Sequence, residues 1–398
     1  MTELRISVTE LKERRERALR EVKEQGAGGF VLFNATSVFY LTGFAFFSTE
    51  RPAALIIAGD GSTTLFVPRL EQEHAAEEAA CDAIHAYPEY PGEKHPMLHL
   101  ADLLREIGLG GGVAIAADAP GYGSPQGYDG PKLEEVLPGT KVILAPKLIE
   151  RHRVIKSPGE VALIRESARW GNLAHALLQE YSLPGRTETE ISARASLEAT
   201  AAMIKTLGPS FEPRSTRGAG AHAGFRGQIG PNAALPHAIT KNLRLKTGDV
   251  LVTGAGAAVW GYGSELERTM FVGEPDSKQA RFFNLMLEMQ ETAFAAIKPG
   301  LPCAKVDEAV RAVFERHGLW AYWRHHQGHA LGLLGHEGPF FDIGDQTIIQ
   351  PGMVFSVEPG IYVPGLGGFR HSDTLVVTND GIELLTYYPR DLASLICG

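Results

Sequence analysis

The sequence predicts a two-domain chain, with an α/β domain over residues 1–150 and an α+β domain over 151–398. Three observations predict this. Short apolar segments alternate with helical ones through the first 150 residues, the pattern of a sheet covered by helices. A polar junction ending in proline, Arg151 to Pro158, then breaks the pattern. Beyond it, two helical segments precede glycine-rich strand segments, and that order occurs twice.

Taken in order, Val8–Gln25 reads as a helix with Leu11, Ala18, Leu19 and Val22 on one face, stopped by Gly26 and Gly28–Gly29. Phe30–Phe33, Ala54–Ile57, Thr64–Val67, Val113–Ala117 and Val142–Leu144 read as strands; Leu70–Ala80, Pro96–Ile107 and Lys132–Val136 read as helices. Ser157 reads as an N-cap, with Pro158 in the first turn and Glu160 three residues after the cap, so a helix over 158–182 follows. Thr187–Lys205 and the segments 277–297 and 304–317 are the other expected helices. Glycine-rich strand segments are expected at 209–236, 249–272, 326–340 and 352–378.

Composition bounds the function. The 398 residues carry 47 acidic and 38 basic side chains, a formal charge of −9, which argues against nucleic acid or an anionic membrane as partner. Cys81, Cys303 and Cys397 are scattered and match no metal-binding or disulfide spacing, as expected in a reducing cytoplasm. Residues 1–27 are too charged for a signal peptide, and no apolar run is long enough to span a membrane. A cytoplasmic protein is expected.

The chemistry concentrates in four stretches of the second domain. The apolar run 250–259 leads into Gly261-Tyr-Gly-Ser-Glu-Leu-Glu-Arg-Thr269, where strand alternation puts Glu265 and Glu267 on one face. Two carboxylates in such a place require a cation, whether a metal, a substrate group or a protein side chain. The other stretches are Asn232 to His237, Gly328-His329 to His336-Glu337, and Ser356-Val-Glu358-Pro-Gly360 with Arg370-His371-Ser372-Asp373 after it. Each has a plain reading alone: His237 as a turn residue, Glu267-Arg268 as edge-strand charges, His329 and His336 as solvated loop residues, Glu358-Pro-Gly as a turn. Together they form a set of histidines and acids suited to an enzyme site.

These stretches, with the 151–158 junction and Tyr40-Leu-Thr-Gly43, resemble the pita-bread hydrolases: prolidase, aminopeptidase P, methionine aminopeptidase and creatinase. The resemblance covers essentially the whole chain. It implies a prolidase- or creatinase-type N-terminal domain, a pita-bread catalytic domain and a homodimer. The family's peptidases hold two divalent metals with two Asp, one His and two Glu. Those positions fall here on Gly254, Glu265, His329, Glu358 and Ser372, or His371 if the loop shifts by one. Two ligands of the dinuclear site are therefore missing in their usual form. Creatinase works without metal, and the Leu-Glu-Arg-Thr containing Glu267 resembles it; the peptidases carry Thr in place of that Glu.

The resemblance implies a hydrolase of a C–N bond in a small carboxylate-bearing substrate, related to Xaa-Pro dipeptidases but metal-independent and creatinase-like, with no cofactor. In that reading His237 is the general acid/base, Glu267 and Glu358 hold a cationic group, and Arg51 reads the carboxylate. His329, His336, Glu265, His371 and Arg370 are the other expected substrate contacts. Two alternatives stand beside it. One is a metal-dependent Xaa-Pro dipeptidase with a single Mn, Co or Zn ion on Glu265, His329 and Glu358. The other is a non-catalytic binding protein on a peptidase fold.

Overall fold

The computed structural model describes residues 4–215 and 218–398, in two compact units: Ile6–His152 and Arg153–Gly398. Of the expected segments, residues 1–3 of the charged N-terminal stretch and 216–217 of the 209–236 stretch lie outside the described residues.

In the first unit, the described residues form a six-stranded sheet in the order Ala83–Tyr87, Thr63–Pro68, Ala54–Ile57, Phe30–Leu32, Ile115–Ala117, Val142–Leu144. The helix Pro96–Glu106 buries Met97, Leu100, Leu103 and Leu104 in the same core as Val31, Ile56, Phe66 and Ile115. The helix Val8–Glu24 buries Leu11, Ala18, Leu19 and Val22, the face its sequence predicts. Two elements were not expected. Asn34 caps a short helix, Ala35–Thr42, that ends in left-handed Gly43. Ala83–Tyr87 pairs parallel to Thr63–Pro68. The junction also differs from the expected break: Leu148–Val154 is helical, and the polar residues at 151–153 lie on that helix.

The long helix that opens the second unit begins at the predicted cap. Ser157 accepts from the Glu160 N–H and the Glu160 side chain accepts from the Ser157 N–H, opening the helix Pro158–Tyr181. Thr187 caps the helix Glu188–Leu207. The helices Ser277–Ala296 and Ala304–Arg316 follow after the first strands, as the sequence order predicts. The main sheet runs Tyr262–Gly263, Gly254–Val259, Leu266–Glu267, Ser372–Val377, Val354–Val357, His329–Ala330, Glu337–Phe340, with Ala221–Gly224 added on Gly254–Val259 and Ile382–Leu384 on Ser372–Val377.

Small residues let a helix lie directly on this sheet. A Cβ added at Gly171 would lie 3.0 Å from the Gly256 Cα, so Pro158–Tyr181 and Gly254–Val259 meet backbone to backbone. No helix among the described residues is long and apolar enough to cross a membrane.

Candidate active site

Strand order brings the site together. Gly254, Glu267, Ser372, Glu358 and His329 sit on, or one residue beyond, five neighbouring strands. The short strand Leu266–Glu267 is interior, paired on both sides, so the edge-charge reading of Glu267-Arg268 does not hold. Arg268 is fully buried and pins this strand: it donates to Asp373 Oδ1 at 2.8 Å and to the carbonyls of Glu267, Ser372, Tyr388 and Pro389.

Glu265 and Glu267 do share a face, and both line a cavity of about 570 Å³. Its other walls are mostly glycine and alanine from Gly254–Val259, Ala221–Gly224 and the 331–335 loop. Carboxylate oxygens of Glu265, Glu267 and Glu358 lie within 4.8 Å of one another. Such a cluster needs cations, and the protein supplies them. Arg370 grips Glu267 with two bonds, Nη2 to Oε1 at 2.7 Å and Nε to Oε2. Arg226 Nη2 donates to Glu267 Oε1 at 2.8 Å. His329 Nε2 lies 3.1 Å from Glu358 Oε1 and 4.0 Å from Glu265 Oε2. Three carboxylates thus face two guanidiniums and an imidazolium.

The titration behaviour follows. Burial works against a charged His329, but the bond to Glu358 and the charges of Glu265 and Glu358 outweigh it and raise the ring to about 9. Burial pushes Glu358 up, yet His329 and Arg370 hold it well below the usual carboxylate range. Glu265 moves the other way. Burial, and then the charges of Glu358 and Glu267, push it up to about 7, against the pull of His329 and of the Ser372 hydroxyl that donates to it at 2.7 Å.

Close packing fixes these groups. A Cβ at Gly328 would meet the Ser356 carbonyl at 2.1 Å, so glycine is required where the chain enters His329. The His336 ring stacks on His329 with centroids 3.7 Å apart. The loop between them is anchored by Glu337, a buried carboxylate that meets Arg153 and Lys156 and accepts the Leu334 N–H at 2.9 Å. Behind Arg370, its Nη1 donates to the Tyr362 hydroxyl at 2.9 Å, and that oxygen lies 2.8 Å from His325 Nε2.

The structure therefore brings Glu265, Glu267, Glu358, His329, His336 and Arg370 together. Arg370 is buried within the ion pair, where it holds Glu267 in place of a substrate group. His371 does not join them. It is fully buried, edge-on to Phe283, because strand alternation turns Ser372 toward Glu265. His237 is exposed on the loop after the 3₁₀ turn Gly230–Ala234; the His336 ring is held below its usual value chiefly by burial and by His329, with His237 the last contributor. Arg51 belongs to the first unit, where it is bound by Glu50 and Glu89. Sequence reasoning missed Arg226, Tyr362 and His325; the signal available for Arg226 was a charged residue directly before a glycine in a glycine-rich stretch.

The model of metallopeptidase family M24 matches residues 162–379, more than half of the chain. The chain belongs to that family. The creatinase/prolidase N-terminal domain matches residues 14–155. The M24 chain is 30% identical over 370 residues to the Mycobacterium tuberculosis protein named "Probable dipeptidase PepE", covering 93% of this chain and 92% of that one. It is 28% identical over 382 residues to the Xaa-Pro dipeptidase of Pyrococcus furiosus, covering 96% and 100%. The crystal structure of dipeptidase PepE from Mycobacterium ulcerans superposes with a TM-score of 0.81 at 28% identity, covering 99% of each chain. The pita-bread architecture and a C–N hydrolase of the Xaa-Pro dipeptidase and peptidase family are thereby shown.

The dinuclear centre of M24 peptidases does not fit these residues. Gly254 has no side chain, and Ser372 offers only a hydroxyl, which it donates to Glu265. A Cβ added at Gly254 would lie 3.6 Å from Glu267 Oε1, so the Glu267 carboxylate occupies the space next to the missing side chain. That carboxylate is taken up by two arginines. Donors for a single ion do exist, since atoms of Glu265, His329 and His336 lie within 4.8 Å of one another.

Proposed function

We propose that this M24 chain hydrolyses a C–N bond in a small carboxylate-bearing molecule, an Xaa-Pro dipeptide or a guanidino acid, without a bound metal. One observation carries the reading: Glu267 stands beside Gly254 and is neutralised by Arg370 and Arg226, so the carboxylate cluster is balanced by the protein's own cations. The cavity of about 570 Å³ suits a small substrate.

Within it Glu265, poised near 7, takes a proton from the attacking water. The His329–Glu358 pair fixes the charge beside it and presents hydrogen bonds to the polarised scissile group. His237, on the exposed loop near His336, gives its own proton to the leaving nitrogen and is reprotonated from solvent, while Glu265 releases the proton it took from water to solvent after product leaves. Glu267 acts by holding Arg226 and Arg370. The test is turnover of a panel of Xaa-Pro dipeptides and guanidino acids before and after chelation. Chelator-insensitive hydrolysis that is lost in Glu265→Gln and His237→Ala supports the reading.

A second reading has its own support. The donor set of Glu265, His329 and His336 would hold one divalent ion, which would supply Lewis-acid activation. Full loss of turnover on chelation, restored by Mn, Co or Zn, would select it. Absence of turnover under every condition would select a binding protein on a peptidase fold.

A further inference from the structure

We infer that Arg226 recognises the substrate's carboxylate and that the turn carrying it is shaped for this task; the inference rests on the hydrolase reading and names its specificity residue. The backbone gives the first argument. Gln228 N–H donates to the Phe225 carbonyl at 2.8 Å, closing a turn whose central residues, Arg226 and Gly227, have φ of +53° and +75°. Two positive φ values in a tight turn suit Asn-Gly; an arginine at the first position is strained.

The strain is held from several sides. The buried Glu188 accepts the Gly227 N–H at 2.8 Å through one oxygen and the Lys241 and Leu243 N–H groups at 2.8 and 2.9 Å through the other. The Asn232 amide donates to the Gly227 carbonyl. A Cβ at Gly227 would meet the Ile239 carbonyl at 2.3 Å, so the turn is pressed against that segment.

The side chain gives the second argument. Arg226 is the only Arg or Lys among the described residues lining the cavity. Its Nη2 bonds to Glu267 and, at 3.3 Å, to Gln228 Oε1; its Nε and Nη1 make no hydrogen bond among the described residues, and the side chain is 53% exposed. Arg370 holds Glu267 through two bonds, so Arg226 is not the sole partner of that carboxylate. A guanidinium with one nitrogen anchored and others open is oriented to receive a carboxylate. Glu267, which it touches, has oxygens within 4.8 Å of Glu265 and Glu358, so a carboxylate a few bonds from the scissile nitrogen spans the gap.

The test uses matched acid and amide probes, glycyl-proline against glycyl-prolinamide and guanidinoacetate against its amide, with wild type, Arg226→Gly and Arg226→Lys. Glycine relieves the positive φ, so Arg226→Gly folds and melts no lower than wild type. The preference for acid over amide, as the ratio of their kcat/KM values, falls roughly 10- to 100-fold whatever the change in turnover common to both probes. Arg226→Lys restores part of the acid preference. If wild type prefers acid over amide and Arg226→Gly keeps that preference, the assignment of Arg226 falls and the hydrolase reading stands. If wild type turns over no probe, the hydrolase reading falls and the assignment with it.

Discussion

At the residue scale, the proposed metal-free mechanism turns on Glu267. It is buried between two arginines, one fully enclosed and one half exposed, and the two partners have different values. Glu267→Ala leaves Arg370 buried without its partner and lowers unfolding free energy in urea by about 3–5 kcal/mol. Arg226→Ala removes only the exposed partner and costs under about 1 kcal/mol by the same measurement. Equal losses would contradict the assignment of Arg370 as the structural partner.

His329 makes a prediction in pH. Its ring is raised to about 9 in the fold, against about 6.5 in the unfolded chain. Its stabilisation is therefore complete below about pH 6.5 and is lost as pH rises through about 9, a loss on the order of 3 kcal/mol. Wild type and His329→Gln compared by urea unfolding at intervals from pH 6 to 10 should converge toward the alkaline end. A constant difference across that range would contradict the ion pair with Glu358.

At the element scale, the short strand Leu266–Glu267 between Gly254–Val259 and Ser372–Val377 does the positioning. Its neighbours decide which carboxylate fills the centre. The triple variant Gly254→Asp, Glu267→Thr, Ser372→Glu supplies a carboxylate or imidazole at all five peptidase ligand positions, with Glu265 in place of the second Asp. It should gain tight Mn or Co binding in calorimetry, where wild type shows none of comparable strength. Equal binding by both would mean that the substitutions at 254, 267 and 372 do not decide metal affinity. Gly256 lies where the same strand meets a helix and where a Cβ would come 2.5 Å from the Ser264 carbonyl; Gly256→Ala should lower the melting temperature by several degrees.

Much of this was legible in the sequence. The Ser157–Glu160 capping box, the paired face of Glu265 and Glu267 and the missing ligand at Gly254 are local patterns that the fold leaves unchanged. What was not legible depends on neighbours distant in sequence. Arg370 bonds across 103 residues and Arg226 across 41, so neither pairing with Glu267 has a periodic signature. His371 and Ser372 could be ordered only by the register of Ser372–Val377 against Leu266–Glu267. Ala35–Thr42 was hidden because six of its eight residues are buried, leaving no polar stripe to reveal the helical period.

At the scale of the whole molecule, a pita-bread sheet gathers residues from three separate stretches onto or next to adjacent strands, and two of those stretches line a small cavity. The account's central claim is that guanidiniums and an imidazolium take the place of metals in balancing that cluster. The most direct test is elemental analysis of the purified full chain combined with turnover of the dipeptide and guanidino-acid panel before and after chelation. The account predicts C–N hydrolysis at far less than one metal per chain, unchanged by chelator and abolished in Glu265→Gln. Stoichiometric metal, with activity lost on chelation and restored by Mn, Co or Zn, would contradict it.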